Sequence, residues 1–140
     1  MVSEAQADGG MRLSVRLPNS QQSAAAARHT VNGAITRFVD AALSEKVQLL
    51  VSELVTNSLR HARLNNDGWI ELNLELSQAR LRVEVVDQGI GFEIPEVVRE
   101  RSDQMAGWGF VLVNRLAKDW GVVNDGCTKV WFELDDGTFQ

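Results

Sequence analysis

Four stretches of this chain alternate apolar and polar side chains with a period of two, and that pattern constrains the fold more than any other property of the sequence. Met11, Leu13, Val15 and Leu17 alternate with Arg12, Ser14 and Arg16, and Ile70, Leu72, Leu74 and Leu76 alternate with Glu71, Asn73 and Glu75. Leu81, Val83 and Val85 alternate with Arg82 and Glu84, Val86 being the exception, and Thr128, Val130, Phe132 and Leu134 alternate with Lys129, Trp131 and Glu133. Successive side chains of a strand point to opposite faces, so each stretch reads as a half-buried strand. Parallel strands, covered on both faces, read instead as continuous apolar runs, so the sheet is expected to be mainly antiparallel. The break at Ser77-Gln78-Ala79 predicts a hairpin. A further strand, Trp120 to Val123, is expected to pair with the last through Asn124-Asp125-Gly126.

Three segments carry helical spacing instead. The first spans 20–42, with Ala24, Ala27, Val31, Ile35, Phe38 and Ala42 on one side. The second starts with Ser44 as its expected N-cap, carries Val47, Leu50, Val51, Leu54, Val55 and Leu59, and is predicted to stop near Leu64. The third opens at Gly107 to Gly109 and runs through Phe110, Val111, Leu112, Val113, Leu116 and Ala117. The order is strand, two helices, two strands, helix, two strands. Helices that must cover the single apolar face of such a sheet give a two-layer α/β (α+β) sandwich.

At 140 residues the chain suits one domain, able to bury about two thirds of its unfolded surface without disulfides or a structural metal. The expected division is a flexible N-terminal tail over 1–10 and a folded domain over 11–135. A lone cysteine, Cys127, can neither form an internal bridge nor build a zinc site, which suits a reducing cytoplasm. No stretch approaches the ~20 apolar residues of a membrane helix, and Met1 to Gly10 lacks the apolar core of a secretory signal. A net charge of −5 argues against nucleic acid as a direct partner, because neutralising phosphates takes clustered Lys and Arg.

Three short motifs carry the chemistry. On the second helix Glu53, Asn57 and His61 follow one another at intervals of four, along one face and apart from the apolar stripe. A carboxamide oxygen is a hard ligand suited to Mg²⁺, and a carboxylate one turn away can take a proton from an attacking hydroxyl. By itself such a row is as well read as a solvated helix face. Asp87-Gln88-Gly89-Ile90-Gly91-Phe92 follows the third strand. A carboxylate at a strand end can accept from an exocyclic amine, and the glycines permit a sharp turn, although a plain Asx-Gly turn has the same look. Gly107-Trp108-Gly109-Phe110 opens the third helix, where backbone N–H groups favour phosphate. Between the two glycine motifs, 93–106 is a polar stretch whose length and position suit a lid. The dinucleotide fold is excluded by the antiparallel pattern, and no GxxxxGK[ST] string occurs.

Together these motifs resemble a known family. Glu53-Leu54-Val55-Thr56-Asn57-Ser58-Leu59-Arg60-His61-Ala62 is similar to the N-box of the GHKL ATPases (gyrase, Hsp90, histidine kinase and MutL). Asp87 to Phe92 resembles the family's first glycine box and Gly107 to Phe110 its second, in the family's order. The resemblance covers about Met11 to Leu134. It implies the Bergerat fold, a sheet covered on one face by helices, with ATP and Mg²⁺ held between helices and lid. Carried over by motif, Glu53 would be the general base, and Asn57 the Mg²⁺ ligand. His61 falls at a position near the phosphates. Asp87 would hold the adenine amine with help from Thr128, and Gly89, Gly91, Gly107 and Gly109 would shape the nucleotide pocket.

A freestanding domain of this length, without phosphoacceptor helices or a transducer domain, is most similar to the anti-sigma-factor serine/threonine kinases. That resemblance implies binding to a sigma factor and phosphorylation of a serine on an anti-anti-sigma STAS protein. It also implies a homodimer, for which Met11 to Leu17 reads as an edge strand with exposed pairing groups. Trp108 and Phe110 depart from the small and aliphatic residues usual in the second glycine box, and Cys127 stands where glycine is frequent. Two other readings stay open from sequence: a non-catalytic ATP-dependent binding module, and an ATPase without a protein substrate.

Overall fold

The alternating stretches become neighbouring strands of one sheet. The computed structural model describes residues 2–7, 10–61, 68–77, 80–87, 108–124 and 127–135. Its strands are β1 (Val2–Ala7), β2 (Gly10–Pro18), β3 (Trp69–Ser77), β4 (Arg80–Asp87), β5 (Asp119–Asn124) and β6 (Thr128–Leu134), and its helices α1 (Ser23–Ile35), α2 (Ala41–His61) and α3 (Trp108–Leu116). Among the described residues the six strands lie in the order β1-β2-β3-β4-β6-β5, with every pairing antiparallel.

Register follows from the period of two, because a slip of one residue would turn each apolar row to water. Leu13 sits opposite Leu74, Leu74 opposite Val83, and Val83 opposite Phe132, so one apolar row crosses four strands. The helices cover that face alone, with Val31, Ile35, Val47, Leu50, Val51, Leu54 and Val55 fully buried against it. The other face keeps its charges. Arg82 forks between Glu84 and Glu133, each at 3.0 Å, and stacks over Trp131, 4.3 Å from the ring centre. Arg16 stacks likewise on Trp69, and the Ser14 hydroxyl donates to Asn73 Oδ1 at 2.8 Å. Trp120 turns inward, its indole N–H donating to Asn114 Oδ1 at 3.1 Å and tying β5 to α3. The two-layer sandwich expected from the alternation is therefore the fold.

Four expectations are corrected. Residues 1–10 are not a flexible tail throughout: Val2–Ala7 pairs with β2, from Val2 opposite Val15 to Ala7 opposite Gly10. Met11 to Leu17 is consequently an inner strand, and the edge of the sheet on that side is β1. The first helix does not run over 20–42 but ends at Ile35, and Thr36, Arg37 and Phe38 turn the chain back. The next helix is capped by Asp40, not Ser44: Asp40 Oδ1 accepts from the Leu43 amide at 2.8 Å. Ser44 instead lies inside α2, donating to Asn32 Oδ1 at 3.2 Å. Gln48 donates to the same oxygen, and Arg28 reaches Ser52 at 3.1 Å, so polar contacts pin α1 against α2.

Candidate functional site

The rotation of α2 is set by what it buries. Leu43, Val47, Leu50, Leu54 and Val55 must face the sheet, and that turns Glu53 and Asn57 to the flank of the helix, one turn apart. Four residues of helix rise about 6 Å. Glu53 is half-buried, whereas Asn57 is only 6% exposed. A carboxylate with access to solvent thus precedes a carboxamide held inside the fold. His61 is the last residue of α2. The helix packs against both β4 and α3, the elements that carry or adjoin the glycine motifs.

The sheet supplies a second pair. Asp87 ends β4 and Thr128 begins β6, and the register sets them directly opposite each other. Both belong to the helix-covered rows, Asp87 continuing Leu81, Val83 and Val85, and Thr128 leading Val130, Phe132 and Leu134. Each is only 1% exposed. The Thr128 hydroxyl is the one fully buried side-chain oxygen or nitrogen among the described residues without a hydrogen-bond partner. Leaving a buried hydroxyl unmatched costs about 1–3 kcal/mol, so this position carries binding capacity that the fold itself does not use. A carboxylate beside an unmatched hydroxyl offers acceptors for an amine and a donor for a ring nitrogen. That chemistry fits the adenine of ATP.

Of the glycines, Gly109 lies in the first turn of α3, whose N-terminus favours an anion. Gly89, Gly91 and Gly107 and the expected lid over 93–106 lie outside the described residues. The structure therefore joins the expected residues as two pairs: Glu53 with Asn57 along α2, and Asp87 with Thr128 across β4 and β6. Among the described residues no three His, Cys, Asp or Glu side chains gather around a single point. One feature of the row on α2 escaped the sequence reading: Leu49, four residues before Glu53, is 41% exposed. The signal was its spacing, which takes it off the buried stripe of Leu50 and Leu54 and onto the row of Glu53.

The chain is similar to known proteins in sequence and fold. Residues 17–134 match the family described as "Histidine kinase-like ATPase domain". An anti-sigma F factor of Clostridium botulinum (strain Eklund 17B) is 32% identical over 111 residues, covering 73% of this chain and 77% of that protein. A serine-protein kinase RsbW of Listeria innocua is 28% identical over 121 residues, covering 77% of this chain and 76% of its own. Among solved structures, the blue-light activated histidine kinase of Erythrobacter litoralis EL346 superposes with a TM-score of 0.55 at 30% identity, over 69% of this chain. The histidine kinase domain of that protein gives a TM-score of 0.52. This chain spans 31% and 44% of those two kinase chains. No described helix is long and apolar enough to cross a membrane.

Proposed function

Because the chain belongs to the histidine kinase-like ATPase domain family, we propose that it binds ATP and acts in the cytoplasm as an anti-sigma factor with serine/threonine kinase activity toward an anti-anti-sigma STAS protein. Relatives named anti-sigma F factor and serine-protein kinase support the reading. The observation that carries it is the buried Asp87–Thr128 pair, with its unmatched hydroxyl.

When bound, Mg²⁺-ATP supplies the phosphoryl group and the cation that neutralises charge developing during transfer. The chain's own part is positioning. Asp87 accepts from the exocyclic amine of the base, and Thr128 satisfies its hydroxyl on the same ring or on a bridging water. Asn57 would offer its amide oxygen to the cation, which takes few ligands from a protein when it arrives with phosphates. Glu53 would accept the proton of the acceptor serine, whose Oγ would take the phosphoryl group with ADP as the leaving group. On the motif resemblance His61 would fall near the phosphates, Gly89, Gly91, Gly107 and Gly109 would shape the nucleotide pocket, and 93–106 would be its lid. A homodimer is part of the reading, with β1 in place of Met11 to Leu17 as the pairing edge. Light scattering at tens of micromolar, returning a monomer with and without nucleotide, would remove that part.

The test of the whole is transfer of label from γ-labelled ATP to a purified anti-anti-sigma STAS-domain protein from the same organism. Phosphoserine on that protein, together with capture of a sigma factor, is the expected result. Capture without transfer would make the chain a non-catalytic binding module.

A further inference from the structure

Leu49, Glu53 and Asn57 stand at intervals of four on α2 and so form one row. Exposure falls inward along it, from 41% at Leu49, through a half-buried Glu53, to 6% at Asn57. Among the described residues the row is open to a large partner at its Leu49 end. Leu49 and Val123 are the two large apolar side chains that the described residues leave exposed. The exposed positions before Leu49 on this side of the helix, Ala42 and Glu45, are small or charged. A lone exposed leucine is ordinary on a helix surface. This one stands at the solvent end of the row that carries the expected general base.

We infer that Leu49 is a docking residue for the phospho-acceptor protein, receiving an apolar side chain next to the acceptor serine; the inference rests on the kinase reading above. A serine hydroxyl must come within about 3 Å of the Glu53 carboxylate to lose its proton there. Neighbours four apart on a helix have Cβ atoms about 5–6 Å apart, the span of roughly two residues of extended chain. A peptide that delivers its serine to Glu53 from the solvent end therefore passes over Leu49 within about two residues of the acceptor. An apolar side chain at that point would cover the exposed leucine and fix the serine's approach, so Leu49 contributes to choosing which serine is phosphorylated.

Steady-state kinetics with a purified STAS-domain protein of the same organism as substrate test this directly. Leu49→Ser should raise the KM for that protein about tenfold, as loss of one buried aliphatic contact predicts, with kcat and ATP affinity unchanged. Leu49→Met should restore the parental KM, and Val123→Ser should leave it alone. A parental KM in Leu49→Ser, a loss confined to kcat, or an equal rise in Val123→Ser would each overturn the inference while leaving the kinase reading in place. A parent protein that transfers no phosphate to that substrate would overturn the kinase reading, and this inference with it.

Discussion

The two halves of the site are built differently. Asp87 and Thr128 sit across adjacent antiparallel strands, both nearly inaccessible, at the end of the apolar rows that hold the sheet to its helices. Glu53 and Asn57 ride on one helix, and the row to which they belong runs from solvent into the fold. Strand pairing fixes the first pair through backbone hydrogen bonds on both sides and leaves one hydroxyl unmatched. The second pair grades from a group that can meet an incoming partner to one that cannot. Under the proposed reading, recognition of the base belongs to the sheet and proton transfer to the helix, so substitutions of Asp87 and Glu53 should divide these two properties.

The largest expected effect is on the helix side. Glu53→Ala should lower phosphate transfer about a hundred- to ten-thousand-fold, the usual range for a general base, while calorimetry returns the parental ATP affinity. Loss of both properties together would mean that the helix row is part of the nucleotide's own seat. On the sheet side the order reverses. Asp87→Asn replaces a charged acceptor by an amide and should weaken ATP binding about tenfold to a hundredfold, the range for a hydrogen bond to a charged group. Titration of the purified variant, with a melting curve to verify its fold, checks this. Unchanged affinity would remove Asp87 from the base-binding role.

The smallest effect is the most specific. Thr128→Val keeps the shape and removes the unmatched hydroxyl. Without nucleotide the variant should be as stable as the parent or more so, by up to about 1 kcal/mol, because no buried group loses a partner. With nucleotide it should bind ATP a few-fold more weakly. A variant less stable than the parent would mean that the hydroxyl serves the fold, not the ligand.

Most of the sheet was legible because the period of two survives wherever one face is buried and the other is wet. Val2-Ser3-Glu4-Ala5-Gln6-Ala7 escaped because its apolar positions are small and few, and a strand paired on one side needs little more. The Asp8-Gly9 dipeptide between it and β2 was the available hairpin signal. The break between α1 and α2 was hidden for a different reason. Val31, Ile35, Phe38 and Ala42 keep helical spacing straight across it, and only the Asp40 carboxylate, competing with Ser44 as a cap, marks where the new helix begins. In the site, residue types were readable from the motifs, but burial was not. That Asn57 is enclosed, that Leu49 is left out, and that Thr128 lacks a partner follow from how α2 and β6 pack, which no local pattern encodes.

Nucleobase discrimination tests the central claim most directly. The Asp87 carboxylate accepts but cannot donate, and adenine offers an amine where guanine carries a carbonyl oxygen. The account predicts that calorimetry with the parent protein will show binding of Mg²⁺-ATP and Mg²⁺-ADP and at least tenfold weaker binding of Mg²⁺-GTP, since a buried carboxylate facing an oxygen loses its hydrogen bond. Equal affinity for the two bases, or no binding of either nucleotide at millimolar concentration, would contradict it.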